Sequence, residues 1–189
     1  IPLIWVIEIM KANLNYFIFF IFISSFYNVL AEEMIFGEET IAPGFTIVFE
    51  AAPKDTIFPE SYFLDESSTD VHIEMLINWS DKSPTGSPVG GFIPYLDVTA
   101  TIENMDGNSQ IVKLTPHINI VDNFHYAQNV KLPGSIDEMY KVTIVIDPPS
   151  EGELGIHYDW KEKYGYLLDQ KVFTYTNLSF KDIALKSRR

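Results

Sequence analysis

The stretch Val71-His72-Ile73-Glu74-Met75-Leu76-Ile77 decides the fold. Apolar and polar residues alternate across its first five positions, and successive side chains of a strand point to opposite faces. His72 and Glu74 therefore share one face, and Val71, Ile73 and Met75 share the other. A short run of this period, bounded by turn-forming segments, reads as a strand. It also sets an imidazole and a carboxylate side by side, a workable two-ligand arm for a metal ion.

The same pattern extends outward. Upstream, Phe45-Thr46-Ile47-Val48-Phe49-Glu50 alternates and is followed by a loop containing Pro53 and Pro59. Downstream, 81–91 (DKSPTGSPVGG) is a loop. Phe92 to Glu103 reads as one long strand that turns at Asn104-Met105-Asp106-Gly107-Asn108, where Asp-Gly suits a hairpin, and Gln110 to Leu114 returns. Thr115 to Val130 reads as a loop or broken strand, because Pro116 and its polar residues interrupt the periodicity. Tyr140 to Ile146 is a clear strand that stops at Asp147-Pro148-Pro149. Ser150 to Gly165 reads as a loop, and Lys171 to Thr176 as the last strong strand. No segment carries a convincing helical period. About seven short strands separated by turn signals indicate an all-β chain folded as a β-sandwich.

Composition narrows the function classes. The chain has 189 residues, enough for one ordinary domain, and a net charge of −13. That charge argues against nucleic acid as a partner, since a phosphate backbone needs a basic face. It fits an acidic soluble protein or one whose ligand is a cation. There is no cysteine, which excludes disulfides, thiolate zinc sites, iron-sulfur clusters and blue-copper centres. Any metal must be held by His, Met, carboxylate or carbonyl groups.

The N-terminus reads as a secretory signal. Lys11 supplies the charged region, Tyr16 to Ile23 the apolar core and Val29-Leu30-Ala31 the cleavage site. That core is shorter than the roughly 20 residues a membrane span needs. Residues 1–31 are therefore expected to be a signal peptide with upstream residues. Residues 32–189 are expected to be the mature sandwich domain, beginning at Glu32.

The four histidines are His72, His117, His125 and His157. His117 and His125 frame Asp122 in the stretch Thr115 to Val130, and His157 stands in the loop after Pro149. Imidazole is the commonest protein metal ligand near neutral pH. Sequence spacing leaves open whether these segments converge. His72 could equally be a surface residue of its strand, and His157 a residue of an exposed loop.

Five elements stand in an order that resembles the periplasmic iron-transport (Fe2+ transport protein) family, whose members accompany inner-membrane iron permeases in bacteria. They are Asp70-Val71-His72-Ile73-Glu74, Gly91-Phe92-Ile93-Pro94-Tyr95-Leu96, and Asp122 with His125-Tyr126 and Asn129-Val130. The last two are Asp147-Pro148-Pro149-Ser150 and Gly155-Ile156-His157. The resemblance implies an immunoglobulin-like sandwich that forms a homodimer in the periplasm. It implies a site near the dimer interface for copper, and also iron, manganese or zinc. Its ligands carry over to His72, Glu74, His125 and His157, with Asp122 beside them. His117 falls where the family has a metal-binding Met after a Pro; because the segment is one residue longer, Ile118 is the alternative occupant. Asn123-Phe124 replaces the family's Gly-Pro before His125, and Ala127 replaces a Gly.

The expected function is a copper- or iron-binding protein that delivers iron to an inner-membrane permease or adjusts its oxidation state. The second option would make it an oxidoreductase, although no residue pattern shows turnover. Two other readings remain open. One is a non-catalytic sandwich for adhesion, drawing on Trp79, Tyr95 and Trp160. The other is a zinc-binding surface antigen on the same fold.

Overall fold

The computed structural model describes residues 33–84 and 86–186. The segment read as a signal peptide lies outside the described residues. Among them are eight strands: β1 (Met34–Ile41), β2 (Phe45–Ala52), β3 (Val71–Trp79), β4 (Asp97–Asn104), β5 (Ser109–Asn119), β6 (Asn123–Val130), β7 (Met139–Asp147) and β8 (Lys171–Ser179). Two short helices follow β7 and β8, α1 (Tyr158–Tyr164) and α2 (Lys181–Ala184).

The strands pair antiparallel in the order β1-β2-β3-β6-β5-β4-β7-β8. β5 belongs to both layers of the sandwich. Its first half pairs with β4 (Val98 opposite Leu114), and its second half pairs with β6 (His117 opposite His125). One strand thus carries the chain from one layer to the other. The apolar sides face inward: Phe45, Phe49, Ile73 and Met75 from one layer meet Val98, Ile102, Ile144 and Ile146 from the other. The outer strands approach each other across the open side. The Phe36 and Tyr175 rings stand 5.5 Å apart, and the Tyr175 hydroxyl donates to Glu39 Oε1 at 3.1 Å. Gly37 lies against the Tyr175 ring, and any Cβ there would have to displace that ring. The fold is all-β, an immunoglobulin-like sandwich closed almost into a barrel.

Several local expectations are corrected. The strand predicted from Phe92 starts only at Asp97. Pro94 and Tyr95, whose φ is 67°, break it, and Phe92 makes an isolated bridge to Asn78. This segment is instead pinned by Tyr126, whose hydroxyl donates to Ile93 O at 2.9 Å and accepts from Leu96 N–H at 3.0 Å. Thr115 to Val130 is no broken strand but a hairpin of β5 and β6. The loop after Pro149 contains α1, too short to display a period. Asp159 in its first turn and Lys161 and Lys163 in its last suit the helix dipole, and Gly165 N–H closes it on Lys161 O at 3.0 Å. β1 was not predicted; its glutamates and Gly37 dilute the strand signal.

Candidate metal centre

The centre lies on the outward face of the β2-β3-β6-β5 layer. Register places it there: Glu50 is opposite Glu74 on β3, His72 is opposite Asn129 on β6, and His125 is opposite His117 on β5. In a period-two strand these side chains share one face. Such a face usually meets water. Here His72 is 3%, Glu74 0%, His125 2% and Glu50 4% exposed. Burial of this many polar groups is costly unless partners or ions satisfy them.

Ligand atoms of His72, His117 and His125 lie within 4.8 Å of one another, and so do those of Glu74, Asp122 and His125. His125 belongs to both groups. The imidazole rings of His72 and His117 are 5.5 Å apart, and those of His117 and His125 6.0 Å. Glu74 stands between two of the rings: Oε1 is 3.6 Å from His72 Nε2, and Oε2 is 3.8 Å from His125 Nε2.

The outer nitrogens of these rings are already engaged. His72 Nδ1 is 2.8 Å from Asn129 Oδ1, and His125 Nδ1 is 3.1 Å from Asn123 O. Both partners accept, so both Nδ1 atoms carry hydrogen and the Nε2 atoms are the ones turned toward Glu74. A buried carboxylate with two imidazole nitrogens converging on it calls for a cation, metal or proton, among them. This is the donor chemistry a divalent metal ion requires, with imidazole and carboxylate and no sulfur.

His117 fills the remaining side. Burial, to which the edge-on Phe63 ring 5.1 Å away contributes, and then electrostatic repulsion from the neighbouring His125 imidazole lower its pKa from 6.5 to about 4. It is therefore neutral and able to ligate at physiological pH. Thr115 Oγ1, 3.2 Å from His117 Nε2, orients the ring. Ile118 lies on the opposite face and is exposed. The turn behind the hairpin is tied by Asn119, whose Oδ1 accepts from Val121 and Asp122 N–H groups and whose Nδ2 donates to Asp122 Oδ2 at 2.6 Å. Asn123 has a φ of 62°, the left-handed region that Asn adopts more readily than other side chains, so it can stand in for a glycine.

His72, His117 and His125 line a cavity of about 390 Å³, walled by Asp55 to Phe58 and Phe63. His157 is not brought to them. It is exposed at the start of α1 and lines a separate apolar cavity with Trp79, Leu154 and Trp160. The sequence reading missed three neighbours of the centre. Asn129 supports His72, and the carboxylates of Glu33 and Glu50 come within 4.8 Å of that of Glu74. The signal for Glu50 was a lone acid ending an apolar strand.

The chain is similar to several known proteins. The chain is 28% identical over 137 residues to a UPF0423 protein of Brucella abortus, spanning 70% of this chain and 74% of that one. A 34 kDa membrane antigen of Treponema pallidum is 33% identical over 96 residues, half of this chain and 46% of the antigen. Among solved structures, a copper-bound variant of FetP from uropathogenic Escherichia coli superposes with a TM-score of 0.64 at 25% identity. The match covers 77% of this chain and 95% of FetP. A copper-bound variant of Campylobacter jejuni P19 shares the fold at 24% identity and a TM-score of 0.65, over 77% of this chain and 96% of P19. The Fe2+ transport protein family model matches residues 30–182. Matched over most of its length, the chain belongs to the Fe2+ transport protein family.

Proposed function

We propose that this chain is a periplasmic metal-binding protein serving iron uptake, holding copper or iron and passing iron toward an inner-membrane permease. Its ligands are His72, Glu74, His117 and His125, with Asp122 beside them as a harder oxygen donor suited to iron. The observation that supports this most is the convergence of His72 Nε2 and His125 Nε2 on the buried Glu74 carboxylate, at 3.6 and 3.8 Å. FetP and P19, both similar to this chain, have copper-bound forms.

His157 enters the same proposal from a second copy. It is exposed, and the cavity over the three histidines has more room than a lone ion fills. In a homodimer, His157 of one copy would complete the centre of the other. Among the described residues no helix is long and apolar enough to cross a membrane. The periplasmic location rests on the N-terminal signal pattern and the family.

The test is metal analysis of protein made without a histidine tag. About one tightly held metal ion per chain is expected, lost in a His72→Ala, His125→Ala double variant. Absence of bound metal after exposure to copper, iron, manganese and zinc would instead favour the adhesion reading. One observation favours a second metal: three imidazoles with a carboxylate also form a good Zn(II) site. Zinc retained in preference to copper and iron would support the surface-antigen reading.

A further inference from the structure

We infer that Asn129 is a positioning residue of this centre, presetting His72 as an Nε2 ligand for a borderline divalent ion and holding the cavity wall in place. This rests on the metal-binding reading above. Asn129 sits on β6 opposite His72 and is 3% exposed. Its Nδ2 donates to two backbone carbonyls, Asp55 O and Leu64 O, each at 2.8 Å. Both amide hydrogens are thereby used, and the orientation of the side chain is settled. Oδ1 must be the atom facing His72 Nδ1 at 2.8 Å, and it can only accept. His72 is held with its hydrogen on Nδ1, so its coordinating lone pair is on Nε2, the atom nearest Glu74.

The same amide does a second job. Asp55 and Leu64 lie near the two ends of the segment that walls the cavity, which includes Thr56, Phe58 and Phe63. Phe63 in turn packs on the His117 ring. One side chain therefore fixes the tautomer of one imidazole and the cover over another. A supporting hydrogen bond of this kind orients a ligand and raises its basicity, and its loss typically lowers metal affinity about 10–100-fold.

Co(II) is a suitable probe, because its visible spectrum reports ligand number and geometry independently of any activity. In metal-free wild-type protein, long-range 1H–15N spectra should show His72 with hydrogen on Nδ1. A His72 with hydrogen on Nε2 overturns the inference without any variant. Asn129→Leu should release His72 into both tautomers, weaken Co(II) binding about 10–100-fold and alter the Co(II) spectrum. Affinity within about twofold of wild type with an unchanged spectrum overturns it. Should Asn129→Leu fail to fold, Asn129→Asp keeps the acceptor and loses both donors. It should preserve the His72 tautomer while amide exchange across 55–64 speeds up; unchanged exchange would remove the wall-holding role. Co(II) uptake by wild type that is indifferent to Asn129 defeats the positioning role alone. No Co(II) uptake by wild type defeats the metal reading beneath it.

Discussion

β4 and β3 lie in opposite layers of the sandwich, and both alternate in sequence with a period of two. In β4 the alternation has its ordinary outcome. Val98, Ala100 and Ile102 are buried, while Asp97, Thr99, Thr101 and Glu103 face outward and are partly exposed. In β3 every residue from Val71 to Met75 is buried, so His72 and Glu74 are as dry as Ile73 between them. Periodicity reports which residues share a face. It does not report which face is wet. Where both faces are dry and one is polar, the polar one needs compensation: hydrogen bonds for the outer ring nitrogens, and a cation between the inner ones and Glu74.

The largest effect expected from this contrast separates the two faces of β3. Ile73→Ala should lower stability by about 2–5 kcal/mol, the usual cost of a cavity in a core, with metal per folded chain unchanged. Glu74→Gln should do the reverse. At a pH where the imidazoles are neutral it removes a buried charge while keeping the shape, so metal-free stability should not fall, but metal affinity should. Urea denaturation and metal titration of the two variants decide the matter. Equal destabilisation by both would mean that the polar face is a structural network and not a ligand site.

Acidification should produce the next largest effect. The pKa of His117 is about 4 in the folded chain and near 6.5 when unfolded. Between those values the unfolded chain binds the proton and the folded chain does not. Stability of the metal-free protein should therefore be complete above pH 6.5 and decline as pH falls toward 4. His117→Gln should flatten that decline; an unaltered slope in denaturation midpoints would show that His117 is not the group held neutral.

The smallest effect tests the two neighbours at the top of β5. His117→Met should raise affinity for Cu(I) relative to Cu(II), because a thioether favours the cuprous ion and imidazole suits divalent ions. Ile118→Met should leave that ratio alone, since Ile118 is exposed on the other face. The reverse result would place Ile118 at the site instead.

The sandwich class and the cores of β2, β3, β7 and β8 were legible from local pattern and motif order. Thr115 to Val130 misled because its polarity is inverted. Thr115, His117 and Asn119 alternate with Pro116, Ile118 and Ile120, a true strand period, but the apolar residues are the exposed ones. The usual association of polar with wet turned a hairpin into a loop. Asn129 was legible as part of a motif but not as a support, because its partners, Asp55 O and Leu64 O, are backbone atoms that no residue type announces.

Residue chemistry alone therefore settles that any metal here is held without thiolate, by His, Met, carboxylate or carbonyl groups, since there is no cysteine, and that His72 and Glu74 share one face, since a strand repeats every second residue. Only the tertiary structure unites His72 with His117 and His125 and leaves His157 apart. That outcome depends on register between strands distant in the chain, where sliding β6 by one residue would turn His125 and Asn129 to the opposite face.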